Sequence, residues 1–113
     1  MTTSPGFLKK TVDVDQRHFF LAVLKFENGN FISISEGLEK LGSMVVSLST
    51  GPTPVTTTVI PAKTGSLFLK LIAERISTSI KGIAIVSTFV QKELEPKTAK
   101  VLMSEIMEMT ENI

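Results

Sequence analysis

Between the β-branched run Val55–Ile60 and an amphipathic stretch that starts at Ser66, the chain reads Ala62-Lys63-Thr64-Gly65-Ser66. A lysine, a hydroxyl and a glycine at a strand-to-helix junction are the ingredients of a phosphate loop, where backbone amides and an ammonium surround an anion. The order is wrong for one: such loops place a glycine immediately before the lysine, and here Gly65 follows Lys63. The segment is therefore read as a capped helix start. The same Lys-Thr-Gly occurs in penicillin-binding enzymes, but those also need Ser-x-x-Lys, which is found nowhere in this chain. His18, the one histidine, has Asp13 and Asp15 close by in sequence. One imidazole and two strand carboxylates do not supply the convergent ligands that hold a transition metal. No spacing places a nucleophile where His18 could activate it, so it is read as a solvated strand-end residue. Cysteine is absent, which removes thiolate chemistry, thiolate zinc sites and disulfides together. The expectation is a non-enzyme with no cofactor and no metal.

Composition leaves room for binding. The 113 residues suffice for one domain over 1–113, with residues 1–9 as a loose N-terminal tail, and a hydrophobic share of 42% is enough to build a core. Twelve basic and eleven acidic residues are scattered, so no patch marks a nucleic acid or an anionic membrane as the partner. No window approaches the roughly twenty apolar residues of a bilayer span, and residues 1–10 do not read as a secretory signal. A cytoplasmic protein that meets other proteins is expected. With no tryptophan or tyrosine, its contacts must rest on phenylalanine, methionine and aliphatic residues.

The elements that would position such contacts follow from periodicity. Alternation over Lys10–Asp15 sets Val12 and Val14 against two acids, as in a half-exposed strand. An apolar run from His18 to Glu27 follows, and Asn28-Gly29-Asn30 signals a hairpin into a strand over Phe31–Ser35. Residues 36–42 read as a turn, Met44–Thr50 as a fourth strand, Gly51-Pro52-Thr53-Pro54 as an exposed loop and Val55–Ile60 as a fifth strand. Leu69, Ile72, Ala73, Ile76 and Ile80 then share one helical stripe over Ser66–Ile80, which Gly82 stops. Ile83–Val90 is a sixth strand. From Pro96 onward Ala99, Leu102, Met103, Ile106 and Met109 mark a second helix, and Met103, Met107 and Met109 are read mainly as packing. The fold class is α+β: a mostly antiparallel six-stranded sheet with two helices, in the order βββββαβα.

Phe19–Phe26 is apolar on both sides of the pleat: Phe20, Ala22, Leu24 and Phe26 on one, Phe19, Leu21 and Val23 on the other. Two helices of about fifteen residues cover one face of a six-stranded sheet, not both. The second face calls for a second copy of the chain, dimerising through the sheet. Phe19, Leu21, Val23, Phe31 and Val45 are the expected dimer face, subject to a register shift of one residue. Thr50, Gly51, Pro52, Thr53 and Pro54 form the candidate partner-binding loop, because proline-restricted segments lose less entropy on docking.

The succession Asn30-Phe-Ile-Ser-Ile-Ser, Leu41-Gly-Ser-Met-Val-Val-Ser-Leu, Val55-Thr-Thr-Thr-Val-Ile, the helix from Ser66, Ile83-Ala-Ile-Val and the terminal helix resembles the proteasome assembly chaperone 3 family over most of the chain beyond Asp15. The resemblance implies a non-catalytic protein that pairs with itself or a sibling chaperone through its sheet and helps proteasome α subunits assemble into a ring. It also implies that the loop at Thr50–Pro54 meets the α ring. Some proteasome partners insert a hydrophobic-tyrosine tail between α subunits, a mode not expected of a chain ending Glu111-Asn112-Ile113. The competing reading is a roadblock-like dimeric scaffold for GTPases or motors; such domains begin with a helix, whereas this chain opens with strands.

Overall fold

The computed structural model describes residues 6–63 and 66–111. Among them the elements run β1 (Phe7–Val14), β2 (Arg17–Phe26), β3 (Gly29–Glu36), β4 (Ser43–Leu48), β5 (Val55–Ile60), α1 (Ser66–Ile80), β6 (Ile83–Phe89) and α2 (Pro96–Glu111), which is the expected order. The strands form one sheet in the order β1-β2-β3-β6-β4-β5. Among the described residues β3 and β6 make the one parallel pair, because α1 carries the chain from the β5 edge back to the middle of the sheet. β1 begins three residues earlier than expected. Phe7, Leu8 and Lys9 pair with Leu24, Val23 and Ala22 rather than lying in a loose tail, while residues 1–5 lie outside the described residues.

Three turns shape the fold, and each departs in detail from the sequence reading. β1 and β2 are joined by Asp15 and Gln16 at φ 49° and 67°, a two-residue turn whose left-handed residues match the twist of the flanking strands. Aspartate tolerates that region and glutamine ordinarily does not, so the dipeptide carries little turn signal. In the β2–β3 hairpin the turn residues are Glu27 and Asn28, with Gly29 already paired to Phe26. Gly29 is required for space: a Cβ there would lie 2.5 Å from the Ile83 carbonyl oxygen. At the end of α1 the left-handed residue is Lys81, φ 53°, and the Gly82 amide donates to the Ser77 carbonyl at 3.1 Å, the long return bond of a Schellman cap. Gly82 itself is needed because a Cβ would sit 2.5 Å from the Asn28 oxygen.

Both helices lie on one face of the sheet, α1 over β4 and β6, α2 over β1 and β2. Beneath them Phe19, Leu21, Ile32, Ile34, Val45 and Val86 are fully buried against Leu69, Ile72, Ile76, Leu102 and Ile106. A polar tie stands among these contacts: Ser47 on β4 hydrogen-bonds Ser77 on α1 at 2.9 Å, with the Thr56 hydroxyl of β5 3.1 Å from Ser47 Oγ.

Candidate functional site

The face turned away from the helices is the most unusual surface of the molecule. Strand registry assigns its residues: Phe7 opposes Leu24, Leu24 opposes Phe31, Phe31 lies beside Ile85, and Ile85 opposes Val46. Five of the seven phenylalanines, at 7, 20, 26, 31 and 89, are on this side, and Phe19 and Phe68 are in the core. Phe7 and Phe26 are more than half exposed, Leu48 and Val55 are exposed, and Phe20, Phe31, Ile83, Ile85 and Phe89 are half-buried. Among the strand residues of this face charge is confined to the β1 margin, at Lys9 and Asp13 beside His18; the described strands from β2 at Phe20 across to β5 add none. Strands that present aromatic and aliphatic side chains without charge have the composition of an interface core, not of a solvated sheet.

Four of the five residues expected at the dimer face are elsewhere. Phe19, Leu21, Val23 and Val45 are at most 1% exposed under the helices, and only Phe31 is on the open side. The cause is the two-residue period of a pleat: an off-by-one choice of face transfers a whole strand. The set that is open is Phe20, Ala22, Leu24 and Phe26 on β2. A signal for this existed in β1, whose one-sided alternation buries Val12 and Val14; the tight turn pairs Val12 with Phe19 and so fixes which side of β2 faces the core.

At one end of the open face, Phe26, Gly29, Phe31, Ile83 and Ile85 line an apolar depression. The β4–β5 loop is at the same end, since Leu48 pairs with Ile83 and the Ser49 amide donates to the Gly82 carbonyl. Thr50, Gly51, Pro52 and Thr53 are exposed and Pro54 half-buried, and all of them but Thr53 border an open cleft with Thr78 and Lys81 at the end of α1. At the opposite end, residues 37–42 lean toward the open face: Glu39 pairs with Lys9 at 2.7 Å and the Lys40 ammonium stands 5.4 Å from the centre of the Phe89 ring.

The candidate chemical groups do not converge. His18 is exposed, paired through Nδ1 with Asp13 and set edge-on against Phe20 at 4.8 Å, while Asp15 points to Lys97 at 3.6 Å. Among the described residues no three His, Cys, Asp or Glu side chains group as metal ligands. Lys63 is exposed, and Thr64 and Gly65 lie outside the described residues.

The principal polar construction was not anticipated. Arg17 and Glu36, each 7% exposed, form a two-pronged ion pair, with Nε to Oε2 at 2.9 Å and Nη2 to Oε1 at 2.6 Å. The same guanidinium donates to the carbonyls of Lys92 and Glu93, each at 3.1 Å, and the Gln91 amide donates to Glu36 at 2.8 Å. Hydrogen bonding from Arg17, assisted by the Gln91 amide and opposed by burial, holds the Glu36 carboxyl below its ordinary value. The pair fastens the β6–α2 connection to the hairpin, and thereby sets α2 over β2.

No protein-family model matches the chain, and no curated protein matches it in sequence. Among solved structures, it is similar to a chain in the crystal structure of a novel chaperone complex for yeast 20S proteasome assembly, with a TM-score of 0.68 at 10% identity over 94% of each chain. The two chains share a fold. The shared architecture is the α+β arrangement just described, one six-stranded, mostly antiparallel sheet clad by two helices. No described helix is long and apolar enough to cross a membrane.

Proposed function

We infer that this chain is a non-catalytic assembly chaperone or adaptor, which pairs through the open face of its sheet and holds a proteasome α subunit or an α-ring intermediate in the cytoplasm. The observation that carries this reading is the open face from β2 to β5, whose strands present phenylalanines and no charged residue, on a fold shared with a chain of a chaperone complex for proteasome assembly. The preferred occupant is a second copy of the chain, a sibling chaperone being able to take its place. The molecule measures 40 × 33 × 22 Å, so its broad side accommodates the roughly 800 Å² per partner of a standard interface. A chaperone must also let go, which a surface-complementary grip allows once a better-fitting subunit competes for the same contacts.

In this reading Phe20, Leu24, Phe26, Phe31 and Ile85 form the pairing surface, and the loop Thr50–Pro54 at its edge meets the α subunit. The test is to co-purify the tagged chain from its own cells with and without the loop substitution Pro52→Ala/Pro54→Ala. Recovery of proteasome α subunits, reduced in the loop variant, supports the proposal. Recovery of GTPases or motor subunits in their place would move the chain to the scaffold class.

A further inference from the structure

We propose that the free edge of β5 takes up an extended stretch of a partner polypeptide as a seventh strand, uncharged except for one acidic residue on the helix side, facing Lys70. β5 ends the sheet with β4 as its single described neighbour, so its outer backbone amides and carbonyls form an unpaired row. Such rows pair with another chain unless something prevents it, and proteins ordinarily guard them with charge. The β1 edge is guarded in that way: Lys9 pairs with Glu39, Lys10 with Glu105 and Asp13 with His18. β5 is not. No residue from Leu41 to Ala62 carries a charge, and Val55, Val59 and Ile60 are 65%, 54% and 45% exposed.

The edge also defines its occupant. Pro54 and Pro61 bracket the strand, and a register irregularity at the Met44/Val45 step leaves Val55–Thr58 as the regular ladder, which sets a core of about four residue pairs. Side chains of an added strand would lie over Val55 and Thr57 on the open face, where nothing is charged. On the helix face the situation differs. Thr56 Oγ1 donates to Glu74 Oε2 at 2.8 Å, placing that turn of α1 beside Thr56. Lys70 is one helical turn earlier, about 6 Å along α1, which matches the two-residue strand step from Thr56 to Thr58. An acid at the level of Thr58 therefore meets an exposed ammonium, whereas an acid at the level of Thr56 meets the Glu74 carboxylate. Backbone pairing supplies the affinity and this charge step sets the register.

The experiment is amide hydrogen exchange on the full chain with a capped nine-residue peptide of alternating valine and threonine bearing a central glutamate. At free peptide ten times its Kd, alternate β5 amides exchange about tenfold more slowly, and the β1 edge is unchanged. A peptide with central proline gives no protection. Lys70→Glu inverts the preference, so that a central-lysine peptide binds tighter than the glutamate one. Adjacent strand residues direct their amides to opposite sides. Thus one of Thr57→Pro and Thr58→Pro retains the wild-type circular dichroism while losing the peptide. Phe26→Asp, which acts on the open face, leaves peptide protection intact and separates this proposal from pairing through that face. The proposal is overturned by absent protection at β5, by equal protection at β1, by a preference that Lys70→Glu does not change, or by β5 protection that grows with protein concentration alone, which would seat a second copy on the edge.

Discussion

Removing one partner of the Arg17–Glu36 pair tests how the sheet holds its helix layer. In Glu36→Gln the guanidinium keeps its charge while losing the carboxylate that faces it at 2.6 and 2.9 Å, in a site 7% exposed. Two carbonyls and the Phe19 ring, 5.3 Å away, remain as its company. Breaking a buried pair on one side costs about 3–5 kcal/mol. Against a total stability of about 5–15 kcal/mol, that lowers Tm by roughly 10–20 °C for a domain of this size. Arg17→Met should cost a similar amount, and the double variant Arg17→Met/Glu36→Leu less than the sum, with a coupling of about 1–3 kcal/mol. Acid unfolding supplies an independent reading. Because the folded-state carboxyl titrates below its ordinary value of 4.5, the unfolded chain binds the extra proton between the two values. The stabilisation is then complete above pH about 4.5 and is lost as pH falls through the folded value. Glu36→Gln lacks this component, so its stability should vary less with pH below 4.5 than that of the wild type. The assay is thermal and urea denaturation followed by circular dichroism from pH 3 to pH 7. A loss below about 1 kcal/mol in both single variants, or identical acid profiles, would refute the reasoning.

Other outcomes follow from particular residues. Gly82→Ala should destabilise by about 1–3 kcal/mol, since its methyl would press on the Asn28 carbonyl; urea midpoints measure this, and a neutral result would mean the β3 and β6 ends are not in contact as described. Lys81→Gly should raise stability by about 0.5–1 kcal/mol by relieving a left-handed residue, as read from Tm; a loss would place lysine-specific contacts there. Leu21→Asp should unfold the chain, its side chain being 1% exposed beneath α2, while Phe26→Asp, more than half exposed, should retain the wild-type circular dichroism.

Element order and most boundaries were legible because periodicity is local: the helical stripe in Ser66–Ile80 and the β-branched run Val55–Ile60 agree with the structure to the residue. What failed was the choice of side. In β2 both faces are apolar, so alternation cannot say which meets the helices, and the one-sided neighbour that could, β1, is connected through an Asp15–Gln16 turn without a conspicuous signature. The strand order was equally hidden, because β6 inserts between β3 and β4 through α1, a long-range pairing that no spacing reports. Arg17 and Glu36 carried no mark of burial either: a charge at a strand end is ordinarily solvated, and only the return of residues 91–93 encloses it. The candidate site was therefore readable as a surplus of apolar sheet, and its membership only in part.

Sedimentation equilibrium of the wild type beside Phe26→Asp and Leu48→Asp, both exposed in the protomer, decides whether the open face pairs two chains. The wild type should sediment with twice the mass of the 12.3 kDa chain, and both variants should shift toward a single chain with unchanged circular dichroism. A wild type that sediments as one 12.3 kDa chain at every concentration would contradict it.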